Sequence, residues 1–251
     1  MELQKAGVWK RIAAWLLDFM LICVLAVGIA FVFSTVFKYD AHLDTVNAAY
    51  EKYETEYGVK FNVTPEEYAQ FSQEDIARYN EAYAALTADV EAMTAYNMAI
   101  NLILITVTLS LLITYLALEV LIPLLLKNGQ TVGKKAFNLG VMRIDGVRLT
   151  NIQLFVRAVL GKYTLETMIP VYIIILILFG SGGYLGLIVL LALAAVQICF
   201  LFGSKNCELI HDRMAGTVAV DLSSQKIFET TDDLIEYKQK LQAERAAKQD
   251  Y

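Results

Sequence analysis

The sequence predicts an all-α integral membrane protein with four transmembrane helices, an extracytoplasmic antiparallel helical hairpin and a small cytoplasmic β unit. Three observations carry that expectation. Of 251 residues, 57% are hydrophobic and three are proline. The apolar residues gather in runs long enough to cross a hydrocarbon layer about 30 Å thick at about 1.5 Å per residue. The charges between the runs are strongly asymmetric, basic on one side and acidic on the other.

Residues 12–37 form the first run, interrupted by a single charge, Asp18. The basic stretch before it, with Lys5, Lys10 and Arg11, resembles the start of a signal peptide. The apolar stretch is too long for a signal core and lacks a small-x-small cleavage site, so residues 1–37 are expected as an N-terminus followed by a retained helix over 12–37. Residues 98–126 form the second span. Residues 163–203 hold the third and fourth, a shorter run over 165–180 carrying Glu166 and a charge-free run over 184–202, joined by a tight turn at Ser181-Gly182-Gly183.

Residues 127–162 carry seven basic side chains against the single acid Asp145, whereas residues 38–91 carry four basic and twelve acidic ones. The positive-inside rule then puts both termini and the 127–162 loop in the cytoplasm, and residues 38–97 outside. A multi-pass protein of a bacterial cytoplasmic membrane is the expected localisation.

The acidic segment 38–97 reads as two amphipathic helices. Leu43, Val46, Tyr50, Tyr53 and Tyr57 recur at spacings of three and four, as do Ile76, Tyr79, Tyr83, Leu86, Val90 and Met93, a seam in phase with the second span. An antiparallel coiled coil follows, standing roughly 25 Å above the membrane. Gly58 ends the first helix, and Thr64-Pro65-Glu66-Glu67 starts the return with an N-cap, proline at N1 and glutamate at N3. Eight of the fourteen tyrosines lie here. They fill the seam, or they offer a surface to a partner. His42 between Asp40 and Asp44 is too little for a metal site.

In the cytoplasmic loop, residues 139–150 read as a β-hairpin turning at Asp145-Gly146. Thr150 caps a short helix with Gln153 at N3, whose Ile152, Phe155, Val156 and Val159 suit a membrane surface. In 204–251 an alternating stretch at 217–222 is expected as a third strand, and 232–251 as a charged helical tail.

Gly129-Gln130-Thr131-Val132-Gly133-Lys134-Lys135 is not a nucleotide-binding loop. Its glycines are one residue too close, no Ser or Thr follows the lysine, and no strand precedes it. A glycine turn with lysines snorkelling at the bilayer edge is expected instead. Cys23, Cys199 and Cys207 read as apolar filler, with no disulfide framework or metal set. No cofactor, nucleotide or nucleic acid is implied.

The chemistry-bearing residues are the ionisable groups within the spans. Asn101, Thr108, Tyr115 and Glu119 share one helical face. Asp18 and Glu119 lie at nearly equal depth in the cytoplasmic half, with Glu166 and Gln197 on the third and fourth spans and Arg11, Arg157 and Lys162 at the boundary. A charge within a span marks a functional site or a polar helix contact. In one reading the arginines and carboxylates neutralise one another and hold the helices together. In the other, Asp18 and Glu119 line a water-filled vestibule and exchange a proton for a monovalent cation, with Arg11 tuning them.

Ala6-Gly7, Arg11, Ala14 and Asp18 resemble the RDD family of bacterial membrane proteins, named for one arginine and two aspartates. The resemblance continues through Gly129-Gln130-Thr131, Gly133-Lys134, Asp145-Gly146 and Arg157, and ends at His211-Asp212-Arg213 with Ala215-Gly216-Thr217. It covers about 1–37 and 98–222, with 38–97 as a departure from a short outer loop. It implies a multi-pass inner-membrane protein, with Arg11, Asp18 and Asp212 in the named positions. Cation/proton antiport has been discussed for some members. Asp212 itself reads as a structural partner of Arg143, Arg157 or Lys134.

The expected function is therefore non-enzymatic. It is monovalent cation/proton exchange, in a homodimer or larger assembly since four helices make a thin transporter, or a membrane scaffold whose hairpin binds an outer partner.

Overall fold

The computed structural model describes residues 6–126, 128–180, 183–204 and 207–249. Lys5, Lys127 and the Ser181-Gly182 part of the expected outer turn lie outside the described residues. Four helices are long and apolar enough to cross a membrane: α1 (Val8–Val36), α5 (Val90–Leu125), α7 (Asn151–Leu178) and α8 (Gly183–Gly203). Between them lie α2 (Tyr39–Tyr57), α3 (Pro65–Tyr68), α4 (Gln73–Ala88), α6 (Val132–Ala136), β1 (Leu139–Arg143), α9 (Ile210–Ala215), β2 (Thr217–Asp221) and α10 (Thr231–Gln249).

The chain divides into two compact units, residues 27–110 and residues 1–26 with 111–251. In the first, α2 packs against α4. Gly58 ends α2 in the left-handed conformation, φ +64°, which only glycine adopts at no steric cost. Thr64 starts the return with a complete capping box to Glu67. The return is not continuous from there. It stops after one turn, and a second capping box between Ser72 and Asp75 starts α4. Each box satisfies backbone N–H groups that a helix start leaves unpaired.

The expected in-phase run from α4 into the second span is also broken. Asp89 is extended at ψ 106° between the two helices. Its carboxylate accepts from the N–H of Glu91 at 3.0 Å and of Ala92 at 3.1 Å, so it caps α5. The packing of α2 and α4 centres on aromatic rings: Tyr53, Leu86 and Ala92 are buried, with Tyr50, Tyr57 and Phe61 against them.

In the second unit β1 and β2 pair antiparallel, from Leu139 opposite Asp221 to Arg143 opposite Thr217. Met142, Val218 and Val220 form its core with Ile227. The expected three-stranded sheet is two-stranded. The chain does turn at Asp145-Gly146, but the return arm is reduced to one bridge, Arg148 to Met142. Val147 pairs instead with Phe228, and Thr150 already caps the next helix, so no residues remain for a full arm.

Thr150 and Gln153 form the expected capping box, but the helix they start does not stop short of the membrane. α7 is one helix through Leu178, replacing a separate surface helix and span. Its middle, Val156–Met168, is π-helical. The i−5 register is visible where Ile169 N–H reaches the carbonyl of Thr164, and where the Thr164 hydroxyl reaches that of Val159 at 2.9 Å. A shorter π segment, Leu116–Leu121, lies in α5. Ile22, Tyr115, Tyr163 and Met168 form the apolar core beside these segments.

Candidate functional site

The buried charges of the second unit meet in four contacts. The first centres on Asp212, which has no exposed surface. Arg157 directs Nε and Nη2 at Oδ1, 2.9 Å each, and Arg11 reaches Oδ2 at 3.3 Å. Thr217 donates its hydroxyl to Oδ1 at 3.2 Å, and Arg11 also donates to the Cys207 carbonyl. Burial by itself raises the Asp212 carboxyl, but the guanidinium groups of Arg157 and Arg11 override it and hold the group well below the ordinary carboxylate range. Of the partners expected for Asp212, Arg157 is realised. Arg143 pairs with Asp145 instead, and Lys134 goes to Asp18.

The second contact is at Asp18, which is buried. It accepts from the Thr131 hydroxyl at 2.5 Å and from the Gly133 N–H at 2.7 Å, at the start of α6. The Lys134 ammonium is 3.9 Å away. Gly133 has a strict steric reason: a Cβ there would overlap the Ala14 carbonyl oxygen and lie 2.9 Å from the Asp18 carboxylate. Any larger residue pushes α6 off α1. Lys134 therefore does not snorkel. It is buried, because the acid that neutralises it lies inward on α1. Burial, joined by Lys162 and Arg157, pushes its ammonium down to about 7 against the pull of Glu119 and Asp18.

The third contact pairs Lys162 with Glu119 at 2.5 Å, both buried. Tyr115, one turn away, shares a hydrogen bond with Thr167 at 2.7 Å. Of the expected polar stripe, Tyr115 and Glu119 belong to this group. Asn101 is exposed, and the Thr108 hydroxyl donates to the Leu104 carbonyl of its own helix.

The fourth contact joins α7 to α9. His211 Nδ1 lies 2.8 and 2.9 Å from the two Glu166 oxygens, and the His211 backbone N–H donates to Glu166 at 3.0 Å. Gln197 hydrogen-bonds Glu166 and accepts from the Ile210 N–H at 3.4 Å. Gly161 makes the approach feasible, since a Cβ there would lie 2.5 Å from the His211 Cβ.

These pairings differ from the expected one in a specific way. Arg11 serves Asp212, so it is not the cation at Asp18. The cations nearest Asp18 and Glu119 are lysines, Lys134 and Lys162, and Lys134 also lies within electrostatic reach of Glu119. Sequence reasoning missed Thr131, Gly133 and Gly161 as site residues, and Lys134 and Lys162 as the partner cations. The one available signal was that Lys162 lies at the span boundary nearest the carboxylates.

The RDD family matches residues 5–216, a span containing Arg11, Asp18 and Asp212. The chain belongs to the RDD family. Comparison with curated proteins and with solved structures returned no match. In this RDD protein the named arginine and the second aspartate meet, while the first aspartate holds α6 to α1. Its four apolar helices make it a membrane protein.

Among the described residues no group of three or more His, Cys, Asp or Glu could hold a metal ion. Asp40, His42 and Asp44 of the sequence do not form one.

Proposed function

We propose that this RDD protein is a non-enzymatic membrane scaffold or accessory in a bacterial cytoplasmic membrane, with its β unit and both termini on the cytoplasmic side. The observation that carries this reading is charge compensation. Asp18 and Glu119 are answered by Lys134 and Lys162, and the guanidinium groups of Arg157 and Arg11 stand against Asp212 and Glu166, the latter also hydrogen-bonded by His211. A buried carboxylate already held by a nearby cation or by hydrogen-bond donors is a fastening, and its net contribution is to geometry more than to stability. The fastenings all join a helix to α6, α7 or α9.

The partner surface in this reading is the segment 38–97 on the outer side. Its charge is strongly negative. Among the described residues its ion pairs are Lys52–Asp89 and Arg78–Asp75, so most of its acids remain available to a cationic partner. Deleting residues 40–95 should abolish capture of that partner while the protein stays in the membrane. Retained capture overturns the assignment.

One observation favours a second reading, monovalent cation/proton exchange by a homo-oligomer. Lys134 faces Asp18, with an ammonium near 7 that releases its proton around neutrality. A sodium, lithium or potassium ion then takes the place of the lost charge between Asp18 and Glu119. Purified protein in liposomes with an internal pH dye separates the readings. Cation-triggered proton flux that vanishes in a folded Asp18→Asn variant establishes exchange, and its absence supports the scaffold.

A further inference from the structure

His211 occupies an unusual place for a buried imidazole. Glu166 accepts from its ring and its backbone at once, and Asp212 Oδ2 lies 3.7 Å from Nε2 on the other side. The Glu166 carboxylate only accepts and is the one within hydrogen-bond distance, which assigns the single ring hydrogen of a neutral imidazole to Nδ1; Asp212, at 3.7 Å, is beyond hydrogen-bond reach of Nε2. One ring thus fastens α9, and β2 which follows it after Gly216, to the third span.

The groups facing this ring come from three elements. Glu166 and Arg157 are on α7, Asp212 is on α9 itself, and Arg11 of α1 reaches the ring's surroundings through Asp212. Gln197 of α8 contributes an uncharged amide to Glu166. Two guanidinium groups therefore stand against two carboxylates, and the local charge closes with His211 neutral. A proton added at Nε2 is a surplus positive charge in a fully enclosed place, beside Arg157.

We infer that His211 is a proton-responsive fastener: neutral, it holds α9 and the sheet on the third span, and cytoplasmic acidification loosens that hold. This rests on the scaffold reading, to which it adds regulation. Burial is the largest influence on the ring and lowers its affinity for a proton. Arg157 adds to that, and Asp212 and Glu166 oppose it without prevailing. The folded value thus lies below that of the unfolded chain, about 6.5. The contribution of His211 to stability is complete above about 6.5 and is lost as pH falls toward the folded value.

The chain has two histidines, so ¹⁵N-histidine labelling of the full-length protein in lipid nanodiscs gives two ring signals, assigned with His42→Gln. His211 should gain its second proton below about 6.5. Hydrogen exchange at 210–215, corrected for the intrinsic rate, should speed up by at most about tenfold as pH falls from about 7.5 to 5.5. His211→Gln, which keeps a side-chain donor, should remove that pH dependence. Protonation above 6.5, or protection that does not change with pH, overturns the inference. The wild-type titration decides it even where the variant does not fold. The scaffold reading itself is tested by partner capture and liposome flux, which these measurements do not involve, so the two failures are distinguishable.

Discussion

Arg157 spends two nitrogens on a single oxygen of Asp212, Nε and Nη2 each 2.9 Å from Oδ1. The other oxygen is thereby left for Arg11 at 3.3 Å, so one carboxylate binds the first helix, the third helix and the turn of α9. Removing a partner from such a buried group strands the remaining charges.

Asp212→Asn should accordingly cost about 3–5 kcal/mol, because two buried guanidinium groups lose their anion. Thermal unfolding in detergent measures it. Asp212→Leu combined with Arg11→Met and Arg157→Leu should recover much of the loss. A triple variant no more stable than Asp212→Asn would show that the charges do more than pair.

Gly161→Ala and Gly133→Ala test the two close approaches. The added Cβ meets the His211 Cβ at 2.5 Å in one case and overlaps the Ala14 backbone carbonyl in the other. Each should destabilise by about 1–3 kcal/mol, with Gly133→Ala the worse since its overlap is the closer of the two. Gly28→Ala, with nothing within 4 Å of the new Cβ, should not destabilise. Melting temperatures of the three variants check the order.

Lys134 predicts a stability that rises with pH. Its folded value is about 7 and its unfolded value about 10.5. Between them the unfolded chain binds more protons, so folding is increasingly favoured from about 7 to 10.5 and flat below about 7. Lys134→Met should flatten the profile in that window. Denaturant midpoints at pH 6, 7.5 and 9 suffice to see it, and an unchanged slope in the variant would assign the effect elsewhere.

Tyr53→Phe and Asp89→Ala probe the other unit. Tyr53 donates to Asp89 at 3.0 Å, and Asp89 caps α5. Loss of the cap should cost about 1 kcal/mol and loss of the hydroxyl about as much. Hydrogen exchange should quicken over Tyr39–Tyr57 and stay unchanged over Val132–Asp221. Quickening in both regions would contradict the separation of the two units.

Most elements were legible in the sequence because their signals are local. Capping at Thr64 and Thr150 and the stop at Gly58 follow from side chains within three residues of the backbone they serve. The breaks at Ser72 and Asp89 were missed, because periodicity carries through a helix that stops and restarts in nearly the same phase. The third span was misread at its start, which the sequence divides into a surface helix and a shorter apolar run, whereas a π-helical stretch joins the two. Arg157 and Glu166 are nine residues apart, which at about 100° per residue puts them on opposite faces. A π turn takes more than four residues, so nine make roughly two turns, and both side chains face α9.

The sequence by itself determined that this chain has four apolar helices long enough to cross a membrane and that ionisable residues fall within them. Run length and charge asymmetry act through the bilayer, which reads position along the chain. Only the tertiary structure decided which charge meets which. Ion pairing depends on helix rotation and on approaches within a few ångströms, and those were set by a π register in α7 and by glycines at 133 and 161.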